Sequence, residues 1–117
     1  MQGLVYMAKP IRLSLLIHTV DYLEYTGEDD TWGGNGNYAP AVRIERVRVE
    51  PKKTVVSNGN GESLVMQILL FHDAVHSTPV TFEEKSKVIF NGKEMTVSKV
   101  SEFYDRSNLH HVEVLLV

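Results

Sequence analysis

The residues able to do chemistry are few, because the 117-residue chain has five histidines and no cysteine. Thiol catalysis, thiolate metal sites and disulfides are therefore excluded, and the composition suits a reducing compartment. His72-Asp73-Ala74-Val75-His76 has the outline of H-E-x-x-H, in which two imidazoles one helical turn apart hold zinc and a carboxylate activates the bound water. Here the carboxylate is the shorter Asp73, a strand-like run precedes it, and Ser77-Thr78-Pro79 follows. That leaves no room for the presenting helix, so the segment is expected to be an irregular structural loop. His110 and His111 are adjacent. Strand alternation sends neighbouring side chains to opposite faces, so the pair is not expected to chelate one ion. One ring is expected to be half buried with its nitrogens hydrogen-bonded.

The remaining motifs are absences. The glycine cluster at 33–36 lacks a following Gly-Lys-Ser/Thr, so it is no phosphate loop. There is no G-x-S-x-G elbow. Asp29-Asp30 and Glu83-Glu84 are sequence-adjacent acids on polar turns, where such pairs are solvated. The reading is a protein without catalytic, cofactor-binding or metal sites, and so not an enzyme.

The elements that must carry any function are strands. Residues 1–10 have no period and read as an N-terminal arm ending at Pro10. Residues 15–26 are rich in aromatic and β-branched types, with Leu16, Val20 and Tyr22 on one parity, and form a first strand ended by Gly27. Residues 27–41 (GEDDTWGGNGNYAPA) are a long glycine-rich loop carrying Trp32, the sole tryptophan, and Tyr38. Residues 42–56 form a long strand in which Val42 and Ile44 share one parity and Val47 and Val49 the other. One extra residue near Glu45-Arg46 reconciles them, which predicts a β-bulge.

Ser57 to Gly61 is a hairpin tip. Residues 62–72 are apolar on both parities, as expected of a central strand covered on both faces. Asn91-Gly92 between Val88-Ile89-Phe90 and Lys93 to Val97 signals a type I′ hairpin. A last turn at Asp105 to Asn108 leads to a final strand over 109–117. The fold class is all-β: a small antiparallel barrel or sandwich of about six strands in one domain spanning 1–117. It has long loops and at most one short helix, near 82–86 or within the first fifteen residues.

Hydrophobic residues make up 43% and charged residues 23%, which argues against wholesale disorder. No apolar run approaches the ~20 residues of a membrane helix, and Met1 to Pro10 lacks the pattern of a signal peptide. Net charge is −3, opposite in sign to a typical phosphate-gripping domain. Its distribution is uneven. Segment 21–30 holds five acids and no base, whereas 43–53 holds five bases against Glu45 and Glu50. Opposed segments of this kind are either two solvated strand or loop faces or a head-to-tail contact between copies, in which they would select register and orientation. The candidate interface residues are Asp29, Asp30, Trp32, Tyr38, Arg43, Arg46 and Arg48. Aromatics beside a basic strand also keep open an oligonucleotide-binding barrel.

The chain as a whole resembles the minor capsid proteins of the head-closure, or head–tail connector, group in tailed phages and prophages of Gram-positive bacteria. The likeness is carried by Leu15 to Val20, Glu24 to Asp29, Ile44 to Pro51, Leu70 to Pro79, Lys87 to Glu94 and Leu109 to Val114, in that order and spacing from about Pro10 to Val117. The resemblance implies a small β-barrel that assembles as a ring at the portal vertex. It would close the DNA-filled head and dock the tail, located in the virion after assembly in the bacterial cytoplasm. It implies contacts with further copies of itself, a portal or adaptor protein and a tail-terminator protein, and transient contact with packaged DNA. It implies no membrane partner, no cofactor and no catalytic residues. The 27–41 loop would order against portal-side partners or across the channel. A tail-completion role on the other side of the joint is the sister alternative.

Overall fold

The structure, a computed structural model, describes residues 9–27 and 37–117. Most of the N-terminal arm, and the part of the glycine-rich loop that holds Asp29, Asp30 and Trp32, lie outside the described residues. A 3-10 turn at Leu13–Leu15 is followed by eight strands: β1 His18–Leu23, β2 Tyr25–Gly27, β3 Asn37–Tyr38, β4 Val42–Asn58, β5 Gly61–Asp73, β6 Lys87–Phe90, β7 Lys93–Asp105 and β8 Asn108–Leu116. Six of them close an antiparallel barrel in the order β1-β4-β5-β8-β7-β6, and β2 and β3 form a separate two-stranded sheet. Closure comes from β1 pairing with β6 through Tyr22 and Val88, which leaves the barrel proper without an open edge.

The expected bulge is present at Arg46. Its φ is +60°, and the β1–β4 ladder steps from Thr19↔Glu45 to His18↔Val47, skipping Arg46. Ile44, Val47 and Val49 are thereby all turned inward. The kink is held from outside. The Glu45 N–H donates to Thr78 Oγ1 at 2.9 Å, the Thr78 N–H donates to the Glu45 carbonyl at 3.2 Å, and the Ser77 hydroxyl donates to the Arg46 carbonyl. Asn91 and Gly92 have φ of +50° and +79°, the signs a type I′ turn requires.

The core is the barrel interior, with Val20, Tyr22, Leu70, Val88, Val97, Val114 and Leu116 among its buried side chains. Each contributes about 1.5–3 kcal/mol by leaving water. Tyr22 is buried with its hydroxyl satisfied. It bonds to Ser86 Oγ at 3.0 Å and accepts the Glu83 N–H at 2.8 Å.

Four expectations need correction. The first strand does not run unbroken over 15–26. Residues 13–15 form the 3-10 turn, and the ladder breaks at Glu24 because flanking backbone groups are engaged elsewhere. The Glu24 carbonyl accepts the Ala39 N–H at 2.8 Å, and the Tyr25 N–H donates to Ser86 Oγ at 2.9 Å. Second, residues 27–41 are not loop throughout, since Tyr25 pairs with Tyr38 and Gly27 with Asn37. Third, of the two places offered for a short helix, the first fifteen residues hold the 3-10 turn at Leu13–Leu15, whereas 82–86 is a reverse turn, with Lys85 at φ +71°. Its backbone is committed to β7 through Lys85 N–H to the Val97 carbonyl and Val97 N–H to the Ser86 carbonyl. Fourth, β5 is not covered on both faces along its length. Residues 61–66 are exposed on both parities, and burial begins only at Gln67, next to Ile68 where β8 starts to pair.

Candidate functional site

The outer halves of β4 and β5 leave the barrel together. The β1–β4 ladder stops at Val47 and the β5–β8 ladder at Ile68, but β4 and β5 stay paired from Val47↔His72 out to Asn58↔Gly61. Residues 52–58 and 61–67 therefore form a two-stranded ribbon paired, among the described residues, only to itself. Seven residues of each strand project by about 23 Å at ~3.3 Å each. The radius of gyration is 17.1 Å, against roughly 13 Å for a globule of this size.

Alternation decides what the ribbon shows. Val49 and Leu70 face one another in the core, so the same face continues outward through Pro51, Lys53 and Val55 on β4 and Ile68, Met66 and Leu64 on β5. The core-side stripe thus runs on past the core. Val55 is 59% exposed, Leu64 60% and Met66 56%. Pro51 occupies an edge of the sheet, where its missing N–H is tolerated. Lys52 and Lys53 have no ion-pair partner among the described residues, and such edge lysines oppose strand-to-strand aggregation.

A second apolar feature lies on the outside of the barrel. Ile11, Leu15, Arg48, Glu50, Phe71 and His111 line a groove of about 370 Å3. One wall is the segment before β1, tied down at two points. The Ile11 N–H donates to Asp73 Oδ1 at 2.9 Å, and Arg48 Nη1 donates to the Leu15 carbonyl at 3.1 Å. Arg48 Nε also pairs with Glu50. The floor is Phe71, and beside it His111 stacks on Phe103 with ring centroids 4.8 Å apart and planes within 4°.

The histidines and Asp73 are absorbed by this architecture. Fully buried Asp73 accepts the N–H groups of Val75 at 2.9 Å and His76 at 2.8 Å through Oδ2, in addition to that of Ile11. His72 is buried and donates from Nε2 to the Thr78 carbonyl at 2.7 Å. His110 and His111 do not stay apart as alternation led one to expect. Their Nδ1 atoms meet at 2.8 Å near the end of β8. His110 Nε2 donates to the Lys9 carbonyl at 2.7 Å, so its Nδ1 accepts a hydrogen bond from the Nδ1–H of His111. His111 Nε2 lies 2.9 Å from Glu113 Oε2, an ion pair when that ring carries both protons. Among the described residues no group of three or more His, Asp or Glu side chains is arranged to hold a metal ion, and no helix is long and apolar enough to cross a membrane.

The described residues named from the sequence do not converge. Tyr38 packs edge-on against Tyr25 at 5.7 Å, lies under Lys87 Nζ at 4.4 Å, and so anchors the base of the glycine-rich loop. Arg43 faces Asp21 across the β1–β4 ladder and pairs with Glu45 at 3.3 Å. Acidic and basic segments are thus partly neighbours within one subunit. Arg46 is exposed at the bulge and Arg48 braces the groove wall. Sequence reasoning missed Val55, Leu64 and Met66 on the ribbon and Ile11, Leu15 and Phe71 in the groove. What marks the ribbon is structural: two adjacent strands of 17 and 13 residues joined by a tight turn outrun partners of 6 and 9 residues.

A closed barrel whose elaborations are an apolar arm, an apolar groove and a loop fixed at its base belongs to the class of small β-proteins that work through contact surfaces. The chain belongs to the family described as Minor capsid protein, whose sequence pattern matches residues 10–116, and it is accordingly a structural phage protein of the virion. No curated protein matches the chain.

Proposed function

We propose that the protein assembles as a ring at the head–tail joint of a tailed phage or prophage, where it closes the DNA-filled head and docks the tail. The observation that carries this reading is the ribbon. A capsid-family barrel that extends an uncovered apolar stripe is suited to completion by another molecule, and rings require surfaces that are not self-complementary. The net charge of −3 fits a channel that DNA must leave, since a basic wall would retain phosphates.

In this reading the portal or adaptor protein meets the loop bearing Asp29, Asp30 and Trp32, whose base Tyr38 holds against β6. Exposed Arg43 and Arg46 on β4 face a neighbouring copy, and Arg48 contributes by bracing the groove. The tail-terminator protein meets the opposite rim. Contact with packaged DNA is transient, and neither catalysis nor a cofactor is involved.

The test is electron microscopy of an induced lysate in which this gene alone carries an early stop codon. Separate tails beside heads that have lost their DNA are the expected result. Intact tailed particles at normal yield would overturn the proposal. Stable filled heads beside malformed tails would move the protein to the tail side of the joint.

A further inference from the structure

We infer that the ribbon of one copy docks in the groove of the next, so that β4–β5 is the arm that links neighbours. This rests on the ring reading above and adds the residues and the direction of the contact. The two features belong to one chain and differ in shape and place. One is a projecting strip with Val55, Leu64 and Met66 on its core-side face, and the other is a recess floored by Phe71 and walled by Ile11 and Leu15. A projection fitting a recess elsewhere on the same molecule is a heterologous contact, the kind that propagates around a ring.

Charge favours a second copy as the occupant. Lys53 lies among the apolar residues of the ribbon face, and Lys52 is beside it on the other face. Neither has an ion-pair partner among the described residues. The groove is bordered by Glu50, and by Glu113 next to His111. Each of these carboxylates uses one oxygen in its intramolecular bond, to Arg48 and to His111, and retains acceptor capacity on the other. Docking would place lysine against glutamate around an apolar centre, an arrangement that fixes register as well as partner. Docking would also cover a strip that a monomer leaves in water, and would continue onto a neighbour the packing that ends at Ile68.

The absence of native cysteine makes the contact directly testable. Two plasmids supply Leu64→Cys and Leu15→Cys chains together to cells carrying the phage with the stop codon. Purified particles are then treated with a short-armed bismaleimide. Because each chain has one thiol, only contact between copies joins Leu64→Cys to Leu15→Cys. The expected result is a band of twice the subunit mass, absent when Lys93→Cys, exposed on the β6–β7 hairpin that lends no residue to the groove, replaces Leu15→Cys. Complete particles that contain both chains and give no such band would overturn the inference and leave the joint role intact. Capture of Leu64→Cys by a different virion protein would also overturn it.

A second variant covers failure of the cysteine chains to assemble. Leu64→Asp changes an exposed site, so the purified protein should keep its fold by circular dichroism. Its incorporation into particles should fall by at least about tenfold, the effect of losing one buried aliphatic contact. Normal incorporation of folded Leu64→Asp protein would refute the docking. If the stop codon itself leaves normal particles, the ring reading fails, a separate outcome from either of these.

Discussion

The carboxylate of Asp73 accepts the backbone N–H of Ile11 at 2.9 Å, across 62 positions of sequence. Asp73 is fully buried, and the same side chain holds the Val75 and His76 amides, so one residue joins the turn after β5 to the wall of the groove. Removing it leaves three backbone donors without their acceptor in a partly buried region. Asp73→Ala should destabilise the protein by at least about 1–3 kcal/mol, read as a lower urea midpoint at unchanged slope. The segment before β1 should also be released, and trypsin should cut after Arg12 faster than in the parent protein under native conditions.

Leu70 and Leu64 lie on the same strand and the same face, six residues apart, yet one is the centre of the core and the other is in water. Leu70→Ala should cost about 2–5 kcal/mol, the range for a deleted core aliphatic. Leu64→Ala should change the stability of the isolated subunit by no more than about 0.5 kcal/mol. Urea unfolding of the two variants measures the contrast. Equal losses would mean that the ribbon face is covered within the subunit.

That pair also shows where sequence reasoning reached and where it stopped. Periodicity locates the bulge, because the inward set changes parity between Ile44 and Val47 and one extra residue restores it. Asn91-Gly92 fixes its turn by local chemistry alone. The ribbon escaped because apolar residues on both parities signify burial on both faces only if neighbouring strands reach that far. The length of a neighbour is a tertiary property. His110 and His111 escaped for a related reason. Alternation orients Cβ atoms, but it does not stop two long planar side chains from turning toward each other where the strand ends. Tyr38 was named as an interface residue, and its partners within the subunit, Tyr25 and Lys87, are set by the small β2–β3 sheet, which no periodic signal marked.

Tyr104 offers a test of local electrostatics near the β7–β8 turn. Its hydroxyl donates to Glu102 Oε2 at 2.8 Å. That hydrogen bond, followed by the negative charge of the carboxylate, raises the phenol above its ordinary value of 10.0. Both effects favour the protonated phenol, so the sign of a substitution is determined. Glu102→Gln removes the charge and should lower the Tyr104 titration toward the ordinary value. Ultraviolet difference titration against a Tyr104→Phe control isolates this residue from the other four tyrosines.

The glycine-rich loop can be separated from the barrel because its base is independently fixed. Tyr25 N–H is held by buried Ser86 Oγ, Tyr38 is held by Tyr25 and Lys87, and Gly27 pairs with Asn37. A cut through Tyr38 would therefore damage the base as well as the loop. Replacing residues 28–36 by Asn-Gly should instead close β2 and β3 with a two-residue type I′ turn, which suits paired strand ends. None of the side chains that hold the base is removed. The shortened protein should unfold within about 1 kcal/mol of the parent, since changes in loop length carry only a small entropic effect. If Asp29, Asp30 and Trp32 contact the portal side, this folded protein should fail to complete heads when it replaces the parent chain in an induced lysate. Infectious particles at normal titre from the shortened chain would assign the loop no part in assembly and leave the ribbon and groove to carry it.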